Sequence, residues 1–429
     1  MYRERMPPHD MFFWAAFFFV VGVFIGSVAL ALHAAVWQTA FVGISAGITI
    51  IALWFMDIRN IAPYAACIAI GGAYCLIYAA HRFPERIPFG RNTKMTGMVT
   101  RAEYHFDHQE LTLGNGLRVY ADRYPEFEYG DTIAFRGTVK KPRTPLLAGI
   151  VNARHAAIRI RERNGGYAIQ KILLKTKTLF ENGLKRILPS DQAAFLSGLT
   201  LGTTDEFTKE FLEELRASGT THIVALSGSN VTGIITGIMF LLGLILPRRK
   251  IFWPTVLVIA LFVIMTGAES SLVRAAIMNG IFLIGARYER AGSMRNAILA
   301  AGFLMALWNP LVPAFDLGFQ LSFAAILGMA YLVPRIEKWL PWKNRALLES
   351  VSAQAAVMPL LALTVGRVTP FAIIPNMLIA AAVPCTVALG FIAGGFALIS
   401  PALAFAPAWL AGILLSYEME VIHIAARYL

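Results

Sequence analysis

The chain has 429 residues, 57% of them hydrophobic and only 15% charged, with a mean hydropathy of +0.60 and a formal net charge of +12. So apolar a composition excludes an ordinary water-soluble enzyme or regulator and places the chain in a bilayer. The positive charge does not by itself announce nucleic acid, because short cytoplasmic loops of membrane proteins collect Lys and Arg.

A helix needs about 20 apolar residues to cross a hydrocarbon core of about 30 Å. Such runs are read near 11–32, 35–56, 62–80, 225–246, 251–267, 271–287, 296–309, 316–334, 347–366, 371–399 and 402–424. The stretch 371–399 reads as one broken span or two short ones. The first run is too long, and too soon followed by others, to be a cleaved leader. Arg3 and Arg5 put the amino terminus in the cytoplasm. Three early spans then leave residues 82–163 outside, and the basic loops at 248–250, 287–295 and 335–345 return to the inside. The expected division is a three-span segment 1–85, an extracytoplasmic β domain 86–165 and a helical membrane domain 166–429.

Between 90 and 162 the texture changes to short alternating runs: 95–104, 110–113, 117–121, 132–139 and 156–160. Gly114-Asn115-Gly116 predicts a hairpin turn, and Gly130-Asp131 opens another strand. About five strands in about 70 residues suit a small barrel, and the phrase from Tyr129 to Val139 resembles a strand of the OB fold, whose exposed face binds oligonucleotides or oligosaccharides in many proteins. The predicted fold class is therefore a polytopic α-helical membrane protein with an inserted, small, extracytoplasmic OB-like β-barrel. Nucleic acid on such a barrel requires cations for phosphates and aromatic rings for bases. Arg101, Tyr104, Arg118, Tyr120, Arg136, Lys140, Lys141 and Arg143 supply them, with Arg123 and Tyr124 beside them. Each could equally decorate a solvated barrel.

The pattern over 167–188 interleaves apolar residues with five cations and predicts an amphipathic helix lying in the outer interface. A second amphipathic helix is expected at 208–218. Four polar constellations then fall inside the membrane domain: Ser227, Ser229, Asn230 and Thr232; Arg274 and Asn279; Asp316, Gln320 and Ser322; Gln354 and Asn376. In hydrocarbon an unsatisfied polar group costs several kcal/mol, so these side chains face other helices or a hydrated passage. Helix glue accounts for them as well as a passage does, except at Arg274, whose charge is costly as glue.

No nucleophile elbow or phosphate loop is visible, so no enzymatic activity is expected. His105-Phe106-Asp107-His108 sits in a turn, and no second His or Cys cluster completes a metal site. Cys67, Cys75 and Cys385 lie in apolar runs and read as small buried hydrophobes. No cofactor is expected.

The run from His222 to Val231 follows a signature resembling His-Leu-Leu-Ala-Ile-Ser-Gly-Leu-His-Val, with Ser229-Asn230 where Leu-His stands in that signature. Together with the phrases Arg274 to Met278 and Gly318 to Phe323, in the same order and spacing, it resembles the ComEC-type competence family. The resemblance implies a bacterial inner-membrane channel that takes up single-stranded DNA during natural transformation. It implies that the four polar constellations line the DNA path, and that a separate DNA receptor, a nuclease and a cytoplasmic ATP-driven motor are partners. Many relatives carry a metallo-β-lactamase-like domain after the region that ends here at Leu429, and the reading expects a form without it. Self-association into a homo-oligomer is compatible with this reading. Two other classes compete with it: a transporter of a small anion or lipid precursor, and a non-transporting membrane scaffold.

Overall fold

In the computed structural model the described residues are 8–31, 62–82, 89–90, 92–105, 107–142, 146–153, 158–163, 165–224, 233, 234, 237, 239, 243, 245–288, 293–339, 345–364 and 372–428. The expected span at 35–56, most of that at 225–246, and Arg3 and Arg5 lie outside them. Two helices open the chain, α1 (Pro8–Ala31) and α2 (Ala62–Arg82). Six strands follow: β1 (Asn92–Tyr104), β2 (His108–Leu113), β3 (Leu117–Asp122), β4 (Thr132–Lys140), β5 (Gly149–Asn152) and β6 (Arg159–Glu162). Next come α3 (Ala168–Lys185), α4 (Ser190–Leu201), α5 (Lys209–Ala217), α6 (Thr221–Val224), α7 (Arg248–Met265) and α8 (Ser270–Arg287). The remainder is α9 (Met294–Trp308), α10 (Val312–Phe315), α11 (Leu317–Trp339), α12 (Arg345–Thr364), α13 (Ile373–Ala380), α14 (Val383–Ala397) and α15 (Pro401–Tyr428).

Five of these helices are long and apolar enough to cross a membrane, over Met11–Leu30, Pro63–His81, Leu317–Trp339, Leu347–Thr364 and Pro401–Tyr428. Helices α13 and α14 together have the apolar length of a sixth span, but they bend by 49° at the break between them. The stretches Lys250–Met265, Ser270–Gly285 and Met294–Trp308 are apolar helices too short to meet the same criterion. The protein is a mostly helical, polytopic membrane protein.

Two compact units divide the chain. The first comprises residues 1–166 and 289–320. Its helical part rests on glycine, because α1 and α2 approach so closely that a Cβ at Gly22 would lie 2.1 Å from the Ile68 carbonyl oxygen, and one at Gly71 would lie 2.3 Å from that of Phe19. Small residues permit such backbone contact where lipid offers no hydrophobic drive between helices. Helix α9 packs on the same pair: Phe19 meets Phe303 edge to face at 5.2 Å, and the Tyr74 hydroxyl donates to the Leu307 carbonyl at 2.6 Å. The fully buried Ser27 hydroxyl lies 2.7 Å from the Pro310 carbonyl oxygen and 3.2 Å from the Cys75 sulfur.

The strands of this unit pair β1–β2, β2–β3, β3–β5 and β5–β4, while β4 pairs again with β1 and also with β6. All pairings are antiparallel except β3 with β5. The 13-residue β1 serves two neighbours: Asn92 to Met98 face β4, and Val99 to Tyr104 face β2, with a register shift between Val99 and Arg101. One strand, β5, was not expected, and its four residues are too short for alternation to show. β6 overlaps the end of the expected run 156–160, of which residues 156 and 157 lie outside the described residues. The buried interior is Val99, Leu111, Val119, Ile133, Phe135, Val139, Val151 and their neighbours. Gly137 and Gly149 let strands close over it, for a Cβ at either would stand 2.5 Å from a Val methyl. The Gly114–Gly116 turn forms as the sequence predicts, with Gly116 at φ 81° and its amide donating to the Leu113 carbonyl. Gln109 is fully buried; its amide nitrogen donates to the carbonyls of Asp122 (2.6 Å) and Pro125 (2.7 Å), and its oxygen accepts from the Phe127 amide (3.1 Å).

The second unit comprises residues 167–288 and 321–429. Its core collects Leu184, Phe195, Leu199, Leu215, Leu272, Ala275, Val387, Leu415 and Ile422. Helix α3 is the expected amphipathic helix, with Ile169 and Ile172 exposed and Phe180 and Leu184 buried. Helix α5 starts on Thr208, whose hydroxyl accepts from the Phe211 amide at 3.2 Å.

Candidate functional site

Two polar sites follow on the strands, and the predicted polar side chains on the helices are divided between the two units. On β1, β2 and β3 the antiparallel register arranges one face of the sheet in rows. Arg101 opposes Thr112, which opposes Arg118; Glu103 opposes Glu110, which opposes Tyr120. The last row holds His105, whose amide donates to the His108 carbonyl, and Asp122, the partner of His108. Arg101 pairs with Glu103 at 2.6 Å and Arg118 with Glu110 at 2.9 Å. These two arginines, expected to meet phosphate, therefore already hold carboxylates. Tyr120 lies on the same face near the His108 ring at 5.8 Å. Tyr104 belongs to the opposite parity: its hydroxyl donates to the Phe127 carbonyl at 2.9 Å, and the Arg123 guanidinium lies 4.9 Å from its ring. The sequence list of cations and aromatics thus divides between two faces.

The second strand site is the outer face of β4. Arg136 and Lys140 are exposed on alternate positions, and Lys94 stands directly opposite Arg136 on β1. Exposed Lys141 follows the strand, and exposed Arg159 on β6 opposes Ala134. Among the described residues Lys94, Arg136 and Lys140 have no ion-pair partner, so this strip keeps its positive charge. Arg143 lies outside the described residues.

Among the helices, Ser227, Ser229, Asn230 and Thr232 also lie outside the described residues. Arg274 on α8 is 8% exposed; its Nη1 lies 4.0 Å from the Met278 sulfur and its guanidinium carbon 5.8 Å from the Phe323 ring centroid. Its buried Nε has no hydrogen-bond partner. The contact brings Arg274 of α8 against Phe323 of α11, which the spacing alone left apart. Asn279 donates back to the Ala275 carbonyl at 2.9 Å. Asp316 accepts from the Phe319 amide at 2.8 Å and so caps α11, while Gln320 donates to the carbonyls of Pro313 and Ala314 at 3.2 and 2.7 Å. Ser322 and Gln354 are half-buried; half-buried Asn376 carries a carbonyl oxygen with no partner.

Sequence reasoning missed Glu418. The buried positions of α15 are Ala404, Ala408, Ala411, Leu415, Glu418, Ile422 and Ala425, a stripe with alternating steps of four and three. Glu418 occupies one of those steps, is 0% exposed and accepts from the Thr386 hydroxyl of α14 at 2.6 Å. Its second oxygen has no partner. The signal was legible: a carboxylate at a core position of an apolar 28-residue helix.

Five helices able to cross a membrane, buried polar side chains on several helices and a six-stranded sheet that follows the second described helix in the chain define a polytopic helical membrane protein. Residues 199–429 match the family described as Competence protein, and the chain belongs to that family. Over 177 residues it is 30% identical to the ComE operon protein 3 of Bacillus subtilis (strain 168), an alignment covering 41% of this chain. The chain spans 23% of the length of that curated relative. No solved structure matches the chain.

Proposed function

We propose that the protein passes single-stranded DNA through the bacterial inner membrane during natural transformation. The observation that carries this reading is membership of the competence family over the helical half of the chain. In this proposal the amino terminus is cytoplasmic and the strand domain lies outside. The ring of pairings from β1 through β2, β3, β5 and β4 back to β1 supports an OB-like barrel. The strip of Lys94, Arg136, Lys140 and Lys141 meets the DNA backbone, since unpaired cations gain most from phosphate and counterion release. Arg274 offsets phosphate charge within the membrane, and Ser227, Ser229, Asn230, Thr232, Asn279, Asp316, Gln320, Ser322, Gln354 and Asn376 replace water along the path. The chain supplies passage rather than catalysis. A separate receptor, a nuclease and an ATP-driven motor act with it.

The test is gene deletion and plasmid rescue in the native host, following labelled DNA into a form protected from external nuclease and into the cytoplasm. Loss of cytoplasmic entry with surface binding intact is the expected result. Unchanged entry, in a host shown to take up DNA and free of a second copy, refutes the proposal. Arg274→Gln and Gln320→Leu, in protein inserted at normal levels, are expected to lower entry, and unchanged entry in both removes them from the path.

A further inference from the structure

The strand register unites Glu103, His105 and Glu110, residues from two strands that their sequence positions keep apart. One carboxylate oxygen from each glutamate and one imidazole nitrogen all lie within 4.8 Å of one another. We propose that this cluster binds a divalent transition ion of the zinc class.

The arrangement holds two carboxylates and an imidazole close together. Glu103 and Glu110 stand directly opposite each other across an antiparallel pair, where like charges repel. Arg101 and Arg118 each neutralise one carboxylate from the side, and the imidazole of His105 stands beside both carboxylates. In a tetrahedral site with bonds near 2.0–2.2 Å, ligand atoms sit roughly 3.4 Å apart, so side-chain rotations of about an ångström close this cluster. All three residues are half-buried, which leaves them reachable by an ion yet limits their freedom to turn away.

The donor set selects the ion. An imidazole with two carboxylates suits zinc and its neighbours, whereas calcium and magnesium take oxygen donors. Three protein ligands leave a fourth position open, as in sites that keep a water. Next to it the His105 and His108 rings stack with centroids 4.7 Å apart, and His108 Nδ1 lies 2.7 Å from the Asp107 carboxylate. That carboxylate–imidazole pair holds the His108 ring against which His105 stacks. The sequence pattern concealed the site: His105 and His108 looked like a turn, and the glutamates became partners only through register. The inference is independent of DNA passage, and metal binding is read without any uptake assay.

The experiment uses the full chain in detergent, purified without a polyhistidine tag and stripped with chelator. Cobalt(II) is titrated in while the visible spectrum is recorded, and zinc is then used to displace it. The expected result is one saturable equivalent per chain, with the intense visible bands of a four-coordinate ion, bleached by zinc. Glu103→Gln, Glu110→Gln and His105→Ala are each expected to weaken binding by about tenfold or more. His423→Ala, on the other unit, leaves it unchanged. Thermal unfolding of each metal-free variant checks that the fold persists. Absence of a saturable cobalt equivalent in the wild-type chain overturns the proposal, and so does equal binding in all three folded cluster variants.

Discussion

Gly22→Ala tests whether α1 and α2 are held together by backbone contact. The new Cβ would stand 2.1 Å from the Ile68 carbonyl oxygen, 2.8 Å from its carbon and 2.8 Å from its Cα. These are backbone atoms within a helix and cannot rotate aside. Non-bonded atoms settle at about 3.5 Å or more, so the helices must part by more than about 1 Å at this point. A gap of that size forfeits a quarter to a half of each dispersion contact nearby. Overpacking of this kind costs about 1–3 kcal/mol, and about 1.4 kcal/mol within that range is tenfold in an equilibrium. The neighbouring Ser27 hydroxyl and Cys75 sulfur, 3.2 Å apart, provide the ruler. In a background carrying Cys67→Ala and Cys385→Ala, Ser27→Cys is expected to form a disulfide with Cys75 under mild oxidation, read as loss of maleimide-reactive thiol. Adding Gly22→Ala is expected to slow closure about tenfold. Gly280→Ala is the control, because a Cβ there meets nothing within 4 Å. Equal closure rates with Gly22→Ala and Gly280→Ala would refute the argument.

Three further outcomes are expected. Gln109→Leu removes bonds to Asp122, Pro125 and Phe127 at once, leaving the buried Phe127 amide without this acceptor at about 1–3 kcal/mol, and hydrogen exchange should show the 122–127 loop losing protection while α15 does not change. Thr386→Val takes away the donor to Glu418 and should lower the midpoint of thermal unfolding in detergent, whereas Glu418→Gln should match or exceed wild type, because it relieves a buried carboxylate with an unpartnered oxygen; the opposite order would contradict the assignment. Burial pushes the Glu181 carboxyl above its ordinary value of 4.5, despite Lys177 and the Thr203 hydroxyl that donates to it at 2.7 Å. A folded value above the unfolded one gives stability that is full below about pH 4.5 and is lost as pH rises through the folded value. Proteolysis of the segment around α3 should therefore quicken over that window, and Glu181→Gln should flatten the profile.

Spans, turns and amphipathic helices were legible in the sequence because each is a local pattern. Apolar runs marked α1, α2, α11, α12 and α15, and the Gly114–Gly116 turn carried its own backbone chemistry. What escaped was set by pairing. Periodicity does not tell that Arg101 and Arg118 will each find a glutamate, because those partners come from a register between strands. The same register assembled Glu103 and Glu110, read in two separate strands, with His105, read in the turn between them. Tyr104 and Arg101 looked like one binding face, yet the two positions differ by an odd number and point to opposite sides. Glu418 was different: its spacing within α15 was readable, but a single carboxylate in an apolar helix forms no local cluster that marks it out.

The closing contacts of the first unit reach far along the chain. Ser27 and Tyr74 find their acceptors at Pro310 and Leu307, separations of 283 and 233 residues. A ribosome adding about 5–20 residues per second needs about 10–45 seconds to make the roughly 230 residues between the end of α2 and Pro310. During that interval the Tyr74 hydroxyl is without its Leu307 acceptor, and Ser27 is held by the Val23 carbonyl of its own helix and by the Cys75 sulfur. Biogenesis of this protein is thus a matter of waiting as well as inserting: its earliest helices complete their packing only after most of the chain has been made, and nascent chains stalled before Leu307 are the ones expected to be handed to membrane quality control.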